Sequence, residues 1–71
     1  MKASQIEIGK DYNLNGYIYN GYKDGLPYLC LENVTRKVTG LRDNKIFCEC
    51  GRVFVADTTK ISKVRYENYS E

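Results

Sequence analysis

The stretch Lys45-Ile46-Phe47-Cys48-Glu49-Cys50-Gly51-Arg52-Val53-Phe54-Val55-Ala56 decides how this chain is read. It belongs either to a metal or redox centre or to a sheet. Extended backbone sends alternate residues to opposite faces. On that pattern Ile46, Cys48 and Cys50 share the inner side, and Phe47 and Glu49 share the outer one. Residues 45–50 and 52–56 then form a strand pair divided by Gly51, or one strand bent by a bulge there. A structural zinc site asks for four ligands, commonly with two to four residues between paired cysteines. This chain offers one intervening residue, a distant Cys30 and no histidine. A thioredoxin-like pair needs C-x-x-C at a helix start, and that motif is absent. The thiols are therefore expected to act as small buried hydrophobes, with Cys30 of Tyr28-Leu29-Cys30-Leu31 in the same role. Neither a metal nor a cofactor is expected.

Outward from this stretch the chain breaks into further short strands. Residues 5–8 carry Ile6 and Ile8 on one face, and Gly9-Lys10-Asp11 ends them. Asn13, Asn15 and Gly16 predict a loop before the strand Tyr17-Ile18-Tyr19. Asn20-Gly21 and then Lys23-Asp24-Gly25 carry turn chemistry. Residues 28–31 read as the next strand, with Pro27 at its opening or on an edge. In residues 33–38, Val34 and Val38 point one way with Arg36 between them, which predicts an edge strand or a bulge. Gly40 and Asp43-Asn44 break the pattern again before Lys45. Asp57-Thr58-Thr59-Lys60 predicts a single helical turn, with Asp57 accepting from the amides after it. Residues 61–66 form the last strand, and residues 67–71 are expected to fray.

The 71 residues amount to a single domain. A chain of that size buries only about 60% of the surface its unfolded form exposes. Val, Ile, Tyr and Phe dominate its apolar set, which favours strands. The expected fold is all-β: five or six short antiparallel strands, as a small barrel or curled sheet, with one short helical turn before the last strand. In layout it resembles SH3-like barrels of the Tudor and KOW types, over residues 6–66. That resemblance implies binding of peptides, modified tails or nucleic acids by aromatic residues at loop ends. No binding motif of those families is matched, so no residue role transfers.

No run nears the roughly 20 apolar residues that span a bilayer. The N-terminus lacks the apolar core of a secretory signal, and three cysteines suit a reducing compartment. A cytoplasmic protein is expected, in which the sequons at Asn33 and Asn68 carry no meaning. Without histidine there is no ordinary triad and no easy general base, and no glycine-rich phosphate cradle occurs. Enzymatic activity is not expected.

Charge and tyrosine are the remaining signals. Net charge is +2, yet residues 1–32 sum to −1 and residues 33–66 to +5. Arg36, Lys37, Arg42 and Lys45 cluster around Gly40, and Lys60, Lys63 and Arg65 cluster near the end. Tyr12, Tyr17, Tyr19, Tyr22 and Tyr28 crowd the other half. Tyrosine supplies broad amphipathic contact at low entropic cost. The leading expectation is a binding module that docks these tyrosines onto a larger protein as adaptor or inhibitor. The alternative is nucleic-acid binding, with Arg36, Lys37, Arg42, Lys45 and Arg52 facing phosphates and tyrosines stacking on bases. A homo-oligomer paired through edge strands is a third reading.

Overall fold

A computed structural model describes residues 1–64. The expected frayed tail, the end of the last strand, Arg65 and the Asn68 sequon lie outside them. Five antiparallel strands come after a 3-10 turn at Ala3–Gln5: β1 (Asp11–Lys23), β2 (Leu26–Arg42), β3 (Lys45–Cys48), β4 (Val53–Val55) and β5 (Lys60–Lys63). A second 3-10 turn, Ala56–Thr58, precedes β5, where the sequence places one.

The sheet runs in the order β2-β3-β4-β1-β5, and β2 also pairs with β1. The 17-residue β2 serves two partners. Its first part lies along β1, from Leu26 opposite Lys23 to Lys37 opposite Asp11. Its last five residues, from Val38 to Arg42, pair with β3, with a register shift between Val38 and Gly40. The irregularity foreseen around Arg36 therefore falls just beyond it. On its other edge β1 meets β5 from Tyr12 to Asn15 and β4 at a single pair, Ile18 with Phe54.

The expected likeness to an SH3-like barrel is corrected by this arrangement. The strands make one curled five-stranded sheet, the β1–β4 ladder consists of one residue pair, and the molecule extends 52 × 20 × 18 Å. A continuous barrel wall needs ladder contact along every neighbouring pair. Here most of the pairing lies between two long strands that run past the core.

Two-residue turns set the registers. Asp24 and Gly25, at φ +55° and +79°, join Lys23 to Leu26, while Asp43 and Asn44, at +52° and +61°, join Arg42 to Lys45. Both are the left-handed geometry that matches sheet twist. Asn20-Gly21 is not the turn it resembles in sequence. Gly21, at φ +83°, sits in a bulge between Tyr19 and Tyr22 inside β1.

Several local expectations change for reasons of packing. Residues 5–8 are not a strand: the Ile6 amide bonds to the Ala3 carbonyl at 3.1 Å, and Ile6 is buried while Ile8 is exposed. Asn13, Asn15 and Gly16 are not a loop but part of β1. Asn13 Nδ2 donates to Asn33 Oδ1 at 3.2 Å and Thr35 Oγ1 at 3.3 Å, so its amide is used within the sheet. Gly16 is there because a Cβ would lie 2.6 Å from Thr59 Cα. The cap of the second turn comes from Asn44 rather than Asp57: Asn44 Oδ1 accepts from the Asp57 amide at 2.9 Å and the Asn44 carbonyl from Ala56 at 2.8 Å.

The core gathers where β1, β3, β4 and β5 meet the bend of β2. Leu14, Val38, Ile46 and Phe54 are fully buried, with Tyr12, Ile18, Cys48 and Ile61 packed around them. Leu14 pairs across to Ile61, and Ile46 to Phe54, so the inward set is stacked strand on strand.

A candidate binding face on the β1–β2 arm

Beyond the core, β1 and β2 continue as a two-stranded arm. Directly opposed residues in antiparallel strands share a face, and so do residues two apart. Tyr17 opposes Leu31, Tyr19 opposes Leu29, and Tyr22 opposes Pro27. One face of the arm is thus a stripe of three tyrosines, two leucines and a proline. Tyr22 is 79% exposed and Leu31 65%, an unusual degree for large apolar side chains on ordered strands.

The stripe turns into a groove where β1 leaves β4. Tyr19, Gly21, Tyr22 and Pro27 form one wall, and Lys45, Phe47 and Val53 of β3 and β4 form the other, around about 450 Å³. Phe47 faces outward, as the alternation of residues 45–50 requires, and it is half-buried because the arm stands beside it. The Lys45 ammonium sits 5.6 Å from the Tyr19 ring, a cation–π distance. The ion pairs of the described residues join Lys10 to Glu7, Arg42 to Asp43 and Arg52 to Glu32, and none involves Lys45.

Of the five tyrosines singled out in sequence, Tyr17, Tyr19 and Tyr22 come together. Tyr28 lies on the opposite face of the arm, with Lys23 Nζ 5.7 Å from its ring. Tyr12 is 3% exposed and belongs to the core, its hydroxyl accepting from the Glu7 amide at 2.9 Å. It has no surface to offer a partner. Pro27, Leu29, Leu31, Phe47 and Val53 were not anticipated in the face. The alternations Tyr17/Tyr19 and Leu29/Leu31 carry the signal, but it is readable only once the hairpin is placed at Asp24-Gly25.

The basic set is dispersed. Arg42 stands at the β2–β3 turn with its Nε 3.8 Å from Asp43, Lys37 lies opposite Asp11, and Lys45 is in the groove. Arg52 pairs with Glu32 at 3.3 Å. Arg36 and Arg52 converge on Cys50, with Arg52 Nη1 3.4 Å from its sulfur.

The cysteines divide. Cys48 is buried as expected and Cys30 is half-buried. Cys50 is exposed, because β3 stops at Cys48 and a tight turn succeeds it, with the Gly51 amide bonded to the Cys48 carbonyl at 3.0 Å and Gly51 at φ +92°. The inward position expected for Cys50 is thus corrected: the turn breaks the alternation before the second cysteine is reached. Burial pushes the Cys48 thiol up to about 11, and the neighbouring Cys50 adds to the rise. For Cys50, slight desolvation pulls upward, but hydrogen bonds from the Arg52 backbone and guanidinium and from Arg36 outweigh it and hold the thiol below its ordinary value. Among the described residues no group of three or more His, Cys, Asp or Glu side chains is placed to hold a metal ion. No helix among them is long and apolar enough to cross a membrane.

Comparison with known proteins finds no matching family model, no matching curated protein and no matching solved structure.

Proposed function

We propose that this chain is a non-enzymatic binding module that docks onto a larger protein, as adaptor or inhibitor, through the apolar face of the β1–β2 arm. One observation carries the reading: Tyr17, Tyr19, Tyr22, Pro27, Leu29 and Leu31 share a sheet face outside the core. An isolated two-stranded ribbon is only marginally stable in water, and a contiguous exposed apolar surface marks an interaction site. Burying a Tyr or Leu of this stripe against a partner is worth roughly 1.5–3 kcal/mol each before the costs of association. The scattered basic residues other than Lys45 then serve steering rather than contact.

The test is affinity capture from the native cell with the wild-type chain and with Tyr22→Ser/Leu31→Ser. The expected result is a stoichiometric protein retained by the wild type and lost by the double variant. Absence of any partner, or equal retention by both, would defeat the reading.

Nucleic-acid binding is kept as a second reading on one observation, the pairing of the Lys45 ammonium with the Tyr19 ring beside an exposed Tyr22. It requires retention of a mixed DNA and RNA pool that weakens steeply with salt as counterions are released.

A further inference from the structure

We propose that the groove between the arm and the β3–β4 pair takes a short extended segment of the partner, one that sets an apolar side chain beside a carboxylate. The inference rests on the docking reading above and names what the partner must present. Tyr19, Tyr22, Pro27, Phe47 and Val53 line the groove with carbon, wide enough at about 450 Å³ for one or two side chains. Lys45 is the single Lys, Arg, Asp or Glu of that lining. It is half-buried and, among the described residues, has no carboxylate within ion-pair distance.

The position of Lys45 sets the charge of the occupant. An ammonium with no carboxylate partner attracts an incoming anion and opposes an incoming cation. Its present neighbour, the Tyr19 ring, orients it but leaves its charge uncompensated. Residues 1–64 together carry ten Lys or Arg against seven acids, so the net charge has the same sign as Lys45. The geometry also selects an extended backbone. From Tyr19 onward β1 has no ladder partner on the edge away from β2, since its pairing with β5 and β4 ends at Asn15 and Ile18. Unpaired strand-edge groups accept an added strand, with alternate side chains entering the pocket. A carboxylate one or two residues from the apolar anchor would reach Lys45.

The experiment is selection of a random peptide library displayed on phage against the immobilised chain, then titration of the enriched peptides in solution. Selection is expected to enrich an aromatic or aliphatic residue within two positions of Asp or Glu. Tyr22→Ser should weaken the enriched peptide more than tenfold, the loss that about 1.4 kcal/mol of contact implies. Lys45→Glu should weaken it by at least as much, and selection on that variant should lose its acidic preference while keeping the apolar one. Because Lys45 lies within β3, Tyr22→Ser provides the test that does not touch the folded core. Enrichment of basic or uncharged motifs would overturn the inference. So would peptides indifferent to both substitutions, or displacement of the peptide by single-stranded oligonucleotides. A partner captured through the arm that yields no groove-binding peptide would overturn it too, while leaving the docking reading intact.

Discussion

Cys48 and Cys50 stand two residues apart and have opposite chemistry. Cys48 is packed in the core with its thiol pushed up to about 11, whereas Cys50 is exposed beside two guanidinium groups that favour the thiolate. Nucleophilic attack requires the thiolate, so burial and charge push reactivity in the same direction. Alkylation of the native protein with iodoacetamide near neutral pH should label Cys50 first and Cys48 last. Arg52→Gln, which removes the hydrogen bond to the sulfur, should slow Cys50 several-fold and leave Cys30 unchanged. Fragmentation spectra of the peptide that holds Cys48 and Cys50, taken over time, check the order, and equal rates at the two would contradict the structure. The burial of Cys48 was legible from the alternation after Ile46. The exposure of Cys50 was not, because nothing in Glu49-Cys50-Gly51 says whether the bend comes before or after the second cysteine.

At the scale of elements, the decisive feature is how few strands the chain uses and how long two of them are. Asn13, Asn15, Gly16, Asn20 and Gly21 all carry loop chemistry, yet all lie in β1. Four of them have a visible reason: Asn13 bonds to Asn33, Asn20 Nδ2 donates to Cys30 Sγ at 3.3 Å, Gly16 makes room for Thr59, and Gly21 supplies the bulge. A left-handed residue other than glycine costs roughly 1–2 kcal/mol. Gly21→Val should therefore loosen the arm specifically. Amide hydrogen exchange is expected to quicken across residues 19–31 while the amides of Leu14, Ile46 and Phe54 keep their protection. Unchanged exchange in the arm would show that the bulge does not depend on glycine. Such a variant should also lose partner binding, since the bulge sets Tyr22 opposite Pro27.

For the whole molecule, stability and recognition are segregated in space. The core residues lie around the bend of β2, and the exposed apolar residues lie along the arm. A domain of 71 residues has on the order of 4–11 kcal/mol of total stability. Phe54→Ala, at a fully buried site, is expected to remove about 3–5 kcal/mol, a large share of that total. Leu31→Ser, on the arm, should stay within about 0.5 kcal/mol of wild type. Urea unfolding of both variants checks the separation. A large loss for Leu31→Ser would mean that the arm belongs to the cooperative fold rather than to a docking surface.

The amino-acid pattern alone determined an all-β chain, an antiparallel sheet, the strand pair around Gly51 and the helical turn before the last strand. These depend on side chains a few residues apart, where the two-residue period and turn chemistry act directly. Only the tertiary structure decided that Tyr12 enters the core, that the sheet does not close as a barrel, and that Tyr19 and Tyr22 face Phe47 and Val53 across a groove. Those outcomes rest on register between segments some 20 to 40 residues apart, such as Tyr12 with Arg36 and Ile18 with Phe54. A one-residue slip in such pairing exchanges the faces of a strand, and no local signal reports it.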